Sequence, residues 1–217
     1  VRLHSLDVGF AFDGDADRCI CVDERGEIVD GDATLWVCAK DMKERGELGE
    51  GGVVTTVVSN GGLARALERA GIVCTRTQVG DKYVSEEMAR RGALLGGEPS
   101  GHIVFRKYAT TGDGILTALK VSETVLERKC PLSFLTRGYV PLPQKKRDVP
   151  SAGGEAVLAR ESVRAAIAQA EQWGVRMVVR PSGTEPLVRI LAEGDEDAAE
   201  RAVRLVERAV RASAEAL

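Results

Sequence analysis

The chain carries no excess of positive charge: 30 Lys and Arg stand against 33 Asp and Glu, for a net charge of −3 and a pI near 5.6. Nucleic acid and anionic membrane surfaces are held by a positive field, so neither is an expected partner. No stretch approaches the roughly 18 uncharged apolar residues of a spanning helix, and the first residues lack the charged-then-apolar order of an export signal. A soluble, cytoplasmic protein is therefore expected. The cysteines, Cys19, Cys21, Cys38, Cys74 and Cys130, are odd in number and contain no C-x-x-C pair. That argues against a disulfide framework and a zinc site and leaves buried free thiols. Internal repeats and low-complexity tracts are missing as well, which sets aside a repeat architecture.

What is present is an ordinary globular composition, 44% hydrophobic and 29% charged over 217 residues. At roughly 150 residues per domain, that is one large domain or two modest ones. Val1-Arg2-Leu3-His4 runs almost at once into apolar Val8 to Phe12, and reads as a chain beginning partway through a fold. Val8–Phe12 is a predicted strand that looks buried. An acidic loop, Asp13 to Arg18, an alternating strand, Cys19 to Val22, and a turn at Asp23 to Gly26 follow it.

From Thr34 helices and strands alternate: helix Thr34–Lys43, strand Val53–Val58, helix Leu63–Ala70, strand Ile72–Val79, helix Tyr83–Arg91, strands Ala93–Leu95 and His102–Phe105, helix Ile115–Lys129. This pitch implies an α/β fold, a mixed, mainly parallel sheet with helices on both faces and ligands at loops beyond the strand ends. Pro131, Pro141, Pro143 and Pro150 share a window with Lys145-Lys146-Arg147, which reads as a domain boundary. Beyond it, helix Glu155–Trp173, strands Val175–Val179 and Leu187–Ala192 and a closing helix Asp197–Ala216 form a small α+β C-terminal domain.

Three loops can do chemistry. Asp13-Gly14-Asp15-Ala16-Asp17-Arg18 sets carboxylates at alternate positions, which an extended strand would hold about 6.5–7 Å apart, too far for one small cation. Small residues between them, Gly14 especially, let the chain curl until the oxygens converge on a hard cation such as Mg²⁺. A solvated acidic turn is the plain alternative. An EF-hand fits Asp13, Asp15, Asp17 and Glu24, but needs Gly where Arg18 stands and helices where the flanks are strands. A haloacid dehalogenase-type phosphatase also has D-x-D after an apolar strand, with Asp13 as nucleophile and Gly112-Asp113-Gly114 as its later acidic motif; Ala16 and Asp17 depart from its pattern.

The second loop, Gly96 to His102, brings together Glu98, Ser100 and His102. A carboxylate can accept two sugar hydroxyls, and an imidazole can exchange protons near neutral pH. The third is Arg180-Pro181-Ser182-Gly183-Thr184-Glu185-Pro186 with Arg189. Two guanidiniums, two hydroxyls and free backbone N–H groups at Ser182, Gly183 and Thr184 suit a phosphate dianion. The G-x-x-x-x-G-K-[ST] spacing of a nucleotide P-loop is missing. A structural turn is the alternative at both loops.

DGDADR, GEPSGH and RPSGTEP, in this order and about 80 residues apart, resemble the α-D-phosphohexomutase superfamily over essentially the whole chain. GEPSGH, Ala109-Thr110-Thr111-Gly112-Asp113-Gly114 and RPSGTEPLVRI are most similar to its bacterial phosphoglucosamine mutase branch. Ala16 departs, standing where that branch more often has Gly, and DGDADR is also familiar among phosphomannomutase and phosphoglucomutase relatives. The resemblance implies a cytoplasmic four-domain isomerase that interconverts glucosamine 6-phosphate and glucosamine 1-phosphate, on the route to UDP-N-acetylglucosamine, through a phosphoserine and a bisphosphorylated sugar.

It further implies that Asp13, Asp15 and Asp17 hold Mg²⁺, that Arg18 steadies the transferring phosphoryl group and that His102 assists proton transfer. Glu98 and Ser100 would bind sugar hydroxyls, and Lys82, in Val79-Gly80-Asp81-Lys82-Tyr83-Val84, would face the sugar. Arg180, Ser182, Gly183, Thr184 and Arg189 would grip the non-reacting phosphate. Residues 1–32 would end the second, metal-loop domain, 33–136 would be the third, sugar-binding domain and 137–217 the fourth, phosphate-binding domain. The family's nucleophile lies in a loop close to S-x-S-H-N-P, a string absent here. The missing N-terminal half is thus an expected partner, the chain alone is expected not to turn over, and a homodimer is the candidate assembly. A non-catalytic sugar-phosphate binding module using the same loops is the competing reading.

Overall fold

Alternating residues open the chain as a three-stranded antiparallel sheet, β1 (Val8–Phe12), β2 (Cys19–Asp23) and β3 (Ile28–Val29), in that order. The computed structural model describes residues 1–215, in two compact units, Val1–Pro141 and a second from Leu142. In the first, Phe12 registers with Cys19, so Asp13 to Arg18 is the loop of a hairpin. Cys19 and Cys21 share the buried face of β2. β1 is less covered than its sequence suggests: Phe10 is half-buried and Phe12 exposed, because β1 is the edge of its sheet.

α1 (Gly31–Glu44) begins where Asp30 Oδ1 accepts the Ala33 N–H at 2.9 Å, satisfying one of the donors a helix start leaves open. It is followed by β4 (Val53–Thr56), α2 (Gly61–Arg69), β5 (Cys74–Thr77), α3 (Asp81–Arg91), β6 (Leu95–Gly97), β7 (Ile103–Phe105), α4 (Gly114–Arg128) and the short α5 (Leu132–Leu135). The sheet order is β5-β4-β6-β7, with β4 parallel to β5 and β6, and β7 antiparallel to β6. The expected mixed, mainly parallel sheet is therefore present. β4 is β-branched throughout and buried at every position, as a central strand covered on both faces must be. Val53 packs with Leu35, Leu63 and Leu67, whereas Val54 packs with Val84 and Met88. The strand's period of two thus places helices on opposite faces. β4 is shorter than predicted because Ser59 N–H turns back to Thr56 O at 3.0 Å, and β5 is also shorter than predicted.

In the second unit, β8 (Gln144–Pro150), α6 (Gly154–Leu158), α7 (Glu161–Glu171), β9 (Arg176–Pro181), β10 (Leu187–Glu193) and α8 (Glu196–Glu215) follow in turn. The sheet is antiparallel in the order β8-β10-β9. The units divide after Pro141, within the proline-rich window, and β8 occupies the end of that window. Its basic residues are no linker: Lys145 and Arg147 pair with Glu196 and Glu200 of α8 at 2.7 and 3.1 Å. Pro150, which cannot donate to a ladder, closes a strand on the sheet edge.

The single predicted helix Glu155–Trp173 is two, since Arg160 has an extended backbone. One continuous helix would align Val157 with Arg160, Glu161 and Arg164; the break lets Val157 and Val163 both reach the core. α8 buries Ala199, Ala202, Val203, Val206 and Val210 against Val188, Ile190 and Ala192 of β10. The predicted end of this helix, Ala216, lies outside the described residues. Among the described residues no helix is long and apolar enough to cross a membrane. The cysteines are free, and burial pushes the Cys38 thiol well up, so it is chemically quiet.

Candidate active site

The acidic loop closes on itself. Ala16 N–H bonds Asp13 O at 3.2 Å, and Arg18 N–H bonds Asp13 Oδ1 at 3.1 Å. Sequence reasoning put the curl at Gly14. The structure puts it at Ala16, whose φ of 58° lies in the left-handed region, while Gly14 has no positive φ and open space around it. The curl brings one carboxylate oxygen each of Asp13, Asp15 and Asp17 within 4.8 Å of the others. Asp17 Oδ1 is shielded from solvent and has no hydrogen-bond partner. Arg18 Nε stands 3.5 Å from Asp13 and 3.8 Å from Asp17.

Hard oxygen donors with an orphaned lone pair fit a divalent cation such as Mg²⁺. The Asp13 carboxyl is held below its ordinary range: desolvation would raise it, but hydrogen bonds from Arg18 N–H and within the loop, with the Arg18 charge, outweigh that. The EF-hand alternative loses its twelfth ligand, because Glu24 accepts from the Ser133 hydroxyl and from Ser133 N–H at 3.3 Å.

Neighbouring loops hold this curl. Gly114 N–H bonds Ala16 O at 2.9 Å, and Cys19 N–H bonds Gly101 O at 3.0 Å. Gly101 has φ 90°, and a Cβ there would strike Cys19 O, so this close approach requires glycine. His102 is 3% exposed. Its Nδ1 lies 3.0 Å from Asp17 Oδ2, and its Nε2 accepts the Gly112 N–H at 3.0 Å.

Glu98 is half-buried, and its Oε1 accepts the Gly80 N–H at 3.0 Å. That bond ties the loop of Glu98 and the exposed Ser100 to the start of α3, whose first turn holds Lys82. The Lys82 ammonium is exposed, 3.9 Å from Glu86. Sequence reasoning quoted Gly80 and Gly112 within its motifs but gave them no role; their backbone donors anchor Glu98 and His102. It also passed over Asp32, buried in the first turn of α1, which accepts the Asn60 N–H at 2.7 Å.

In the second unit β9 and β10 set Arg180 directly opposite Arg189. Like charges so placed repel unless an anion or carboxylate relieves them. Arg189 Nη2 reaches Glu185 Oε2 at 2.7 Å, and Arg180 Nη1 donates to Pro181 O at 3.3 Å. Arg180 thus lies on a strand, and the connecting loop is Ser182 to Pro186. One expected backbone donor is lost: Ser182 N–H closes the hairpin onto Leu187 O at 2.8 Å. Gly183 and Thr184, both exposed, carry the candidate N–H groups.

An α/β unit whose carboxylate loop is fastened at Gly101 and Gly114, and an α+β unit with paired arginines, are the make-up of a phosphohexomutase. The chain belongs to the phosphoglucomutase/phosphomannomutase family. The family model for its alpha/beta/alpha domain III matches residues 30–141, and that for its C-terminal domain matches residues 139–213. Phosphoglucosamine mutases of Syntrophomonas wolfei and Symbiobacterium thermophilum are 51% and 50% identical over 197 residues, which is 89% of this chain and 44% of each relative. The chain therefore spans about half the length of the curated relatives it matches.

Solved structures agree on the fold. Aspergillus fumigatus N-acetylphosphoglucosamine mutase, in complex with GlcNAc-6P and magnesium, is similar with a TM-score of 0.80 at 23% identity over 94% of this chain and 48% of that one. A phosphoglucomutase/phosphomannomutase family protein of Burkholderia thailandensis gives 0.76 at 25% identity over 98% and 48%.

Proposed function

We propose that this chain is the metal-, sugar- and phosphate-binding part of a phosphoglucosamine mutase, and that its whole enzyme interconverts glucosamine 6-phosphate and glucosamine 1-phosphate through a phosphoserine and a bisphosphorylated sugar. The carrying observation is the convergence of Asp13, Asp15 and Asp17 under the GEPSGH loop, in a chain about half identical to phosphoglucosamine mutases. That identity favours glucosamine over mannose or glucose as the sugar.

Asp13, Asp15 and Asp17 are the residues that would hold Mg²⁺. Bound there, the ion supplies positive charge against the phosphoryl group in transit. Arg18 adds a guanidinium beside that group. Glu98 keeps one oxygen for sugar hydroxyls while Gly80 fixes the other, with Ser100 on an exposed loop and Lys82 in the first turn of α3. Arg180 and Arg189, the Ser182 and Thr184 hydroxyls and the Gly183 N–H grip the phosphate that is not reacting. A substrate that binds in both orientations suits such a division, in which positioning and electrostatics supply most of the acceleration.

In this reading residues 1–32 close the second, metal-loop domain, 33–136 are the third and 137–217 the fourth. The phosphoserine comes from an N-terminal half, the enzyme works in the cytoplasm, and a homodimer is its assembly. The test is calorimetry of the chain with Mg²⁺ and sugar phosphates. Glucosamine 6-phosphate should bind more tightly than mannose 6-phosphate, and Arg180→Ala should lose a charge-assisted contact of about 1.5–3 kcal/mol. Equal affinity for the two sugars, or no change in the variant, would tell against the assignment.

A further inference from the structure

The loop of Glu98 rests on the first turn of α1. Gly31 N–H donates to Pro99 O at 3.1 Å, and a Cβ on Gly31 would strike Glu98 O, so no side chain fits between helix and loop. The next residue, Asp32, is 2% exposed and reaches the same loop through a relay of buried hydroxyls. Its carboxyl hydrogen-bonds the Ser59 hydroxyl, Ser59 Oγ meets Thr55 Oγ1, and Thr55 Oγ1 donates to Gly97 O at 2.9 Å. Asn60 N–H, donated to Asp32 Oδ2 at 2.7 Å, holds the carboxyl in place.

Three hydrogen bonds need three protons. With Asp32 neutral, its carboxyl proton and one from each hydroxyl are all donated toward Gly97 O. Ionised Asp32 leaves two protons for the same three bonds. The Ser59 and Thr55 oxygens are in contact and keep one between them, and a carboxylate outcompetes a backbone carbonyl for the other. Both hydroxyls then point toward Asp32, and Gly97 O loses the Thr55 proton.

We propose that Asp32 is a positioning residue of the Glu98 loop, whose proton sets the direction of the Ser59–Thr55 relay and with it the hydrogen bond at Gly97 O. The consequence for the sugar rests on reading Glu98 as its ligand. Desolvation pushes the Asp32 carboxyl up to about 6, and Asp30 at the cap of α1 adds to the rise, while Arg76 of β5 opposes it. The Cys74 thiol of β5 feels the Asp32 charge. The turn from β4 to α2 brings no ionisable group, and Glu98 directs its carboxylate to Gly80 N–H. The relay therefore reverses close to neutral pH.

The test is carbon-13 NMR of the whole 217-residue chain, titrated from about pH 5 to about pH 8. The Gly97 carbonyl should shift with the midpoint of the Asp32 carboxyl, and that shift should vanish in Asp32→Asn and in Thr55→Val. A Gly97 signal that ignores the Asp32 titration, or still follows it in Thr55→Val, overturns the proposal. Should a variant fail to fold, the parent's two midpoints decide.

Calorimetry with glucosamine 6-phosphate reads the consequence as the ratio of parent to Asp32→Asn affinity, in which the ligand's own titration cancels. That ratio should fall by about 2–10-fold from the low to the high pH, the worth of one hydrogen bond. Glu98→Ala separates this from the reading beneath it. Undiminished binding there brings down Glu98 as the sugar ligand and Asp32's role in placing it, whereas weakened binding with a constant ratio overturns the role of Asp32 alone.

Discussion

Asp32 enters α1 in its first turn, out of reach of solvent, and desolvation pushes its carboxyl up to about 6 despite the Asn60 and Ser59 hydrogen bonds and the Arg76 charge; Asp30 adds to the rise. The folded chain thus holds a proton that an unfolded Asp, with a pKa near 3.9, has released. The stability this contributes is complete below about pH 4 and is lost as pH rises through about 6. Asp32→Asn keeps an acceptor for Asn60 and removes the titration. It should match the parent near pH 4 and gain on the order of 2–3 kcal/mol near pH 8. Melting of both proteins at the two pH values checks this, and an equal difference at both would refute it.

Ala16 is a second residue under local cost. An L residue in the left-handed region pays roughly 1–2 kcal/mol, and glycine returns part of that gain through the unfolded chain. Ala16→Gly should therefore stabilise by up to about 1 kcal/mol, seen as a small rise in Tm; a fall would mean that the curl does not depend on this φ. The three aspartates were legible in the sequence because alternate carboxylates beside small residues admit few uses. The bond from His102 to Asp17 was not, since its partners are 85 positions apart and only the folded loops bring them together.

Elements were legible where periodicity and composition agreed. The Val- and Thr-rich β4 and the strand-helix alternation around it yielded the mixed sheet directly. β8 was hidden because proline and lysine are depleted in strands; its sheet-edge position and its acidic partners on α8 make both tolerable. The break between α6 and α7 was hidden because each half has good helix formers, and only the need to bury both Val157 and Val163 demands a change of phase. α4 offers an element-level test. Its N-cap Asp113 accepts the Leu116 N–H at 2.9 Å, while Gly112 and Gly114 beside it hold His102 and the acidic loop. Asp113→Ala should cost about 0.5–2 kcal/mol, read as a lower Tm. An unchanged Tm would show that the cap does not set where α4 begins.

At the scale of the molecule, one unit carries the carboxylate loop and the Glu98 and His102 loop and the other the arginine hairpin, and the relatives they match are about twice as long. No S-x-S-H-N-P string occurs in the sequence, and in the proposed reading the phosphoserine comes from another part of the enzyme. The most direct measurement is conversion of glucosamine 6-phosphate to glucosamine 1-phosphate by two proteins, the chain alone and the chain fused behind the N-terminal half of the Syntrophomonas wolfei relative. The fusion should turn over and lose that activity on Asp15→Asn, while the chain alone should not. Turnover by the chain alone, or a folded fusion that is inactive or indifferent to Asp15→Asn, would contradict the assignment of these loops.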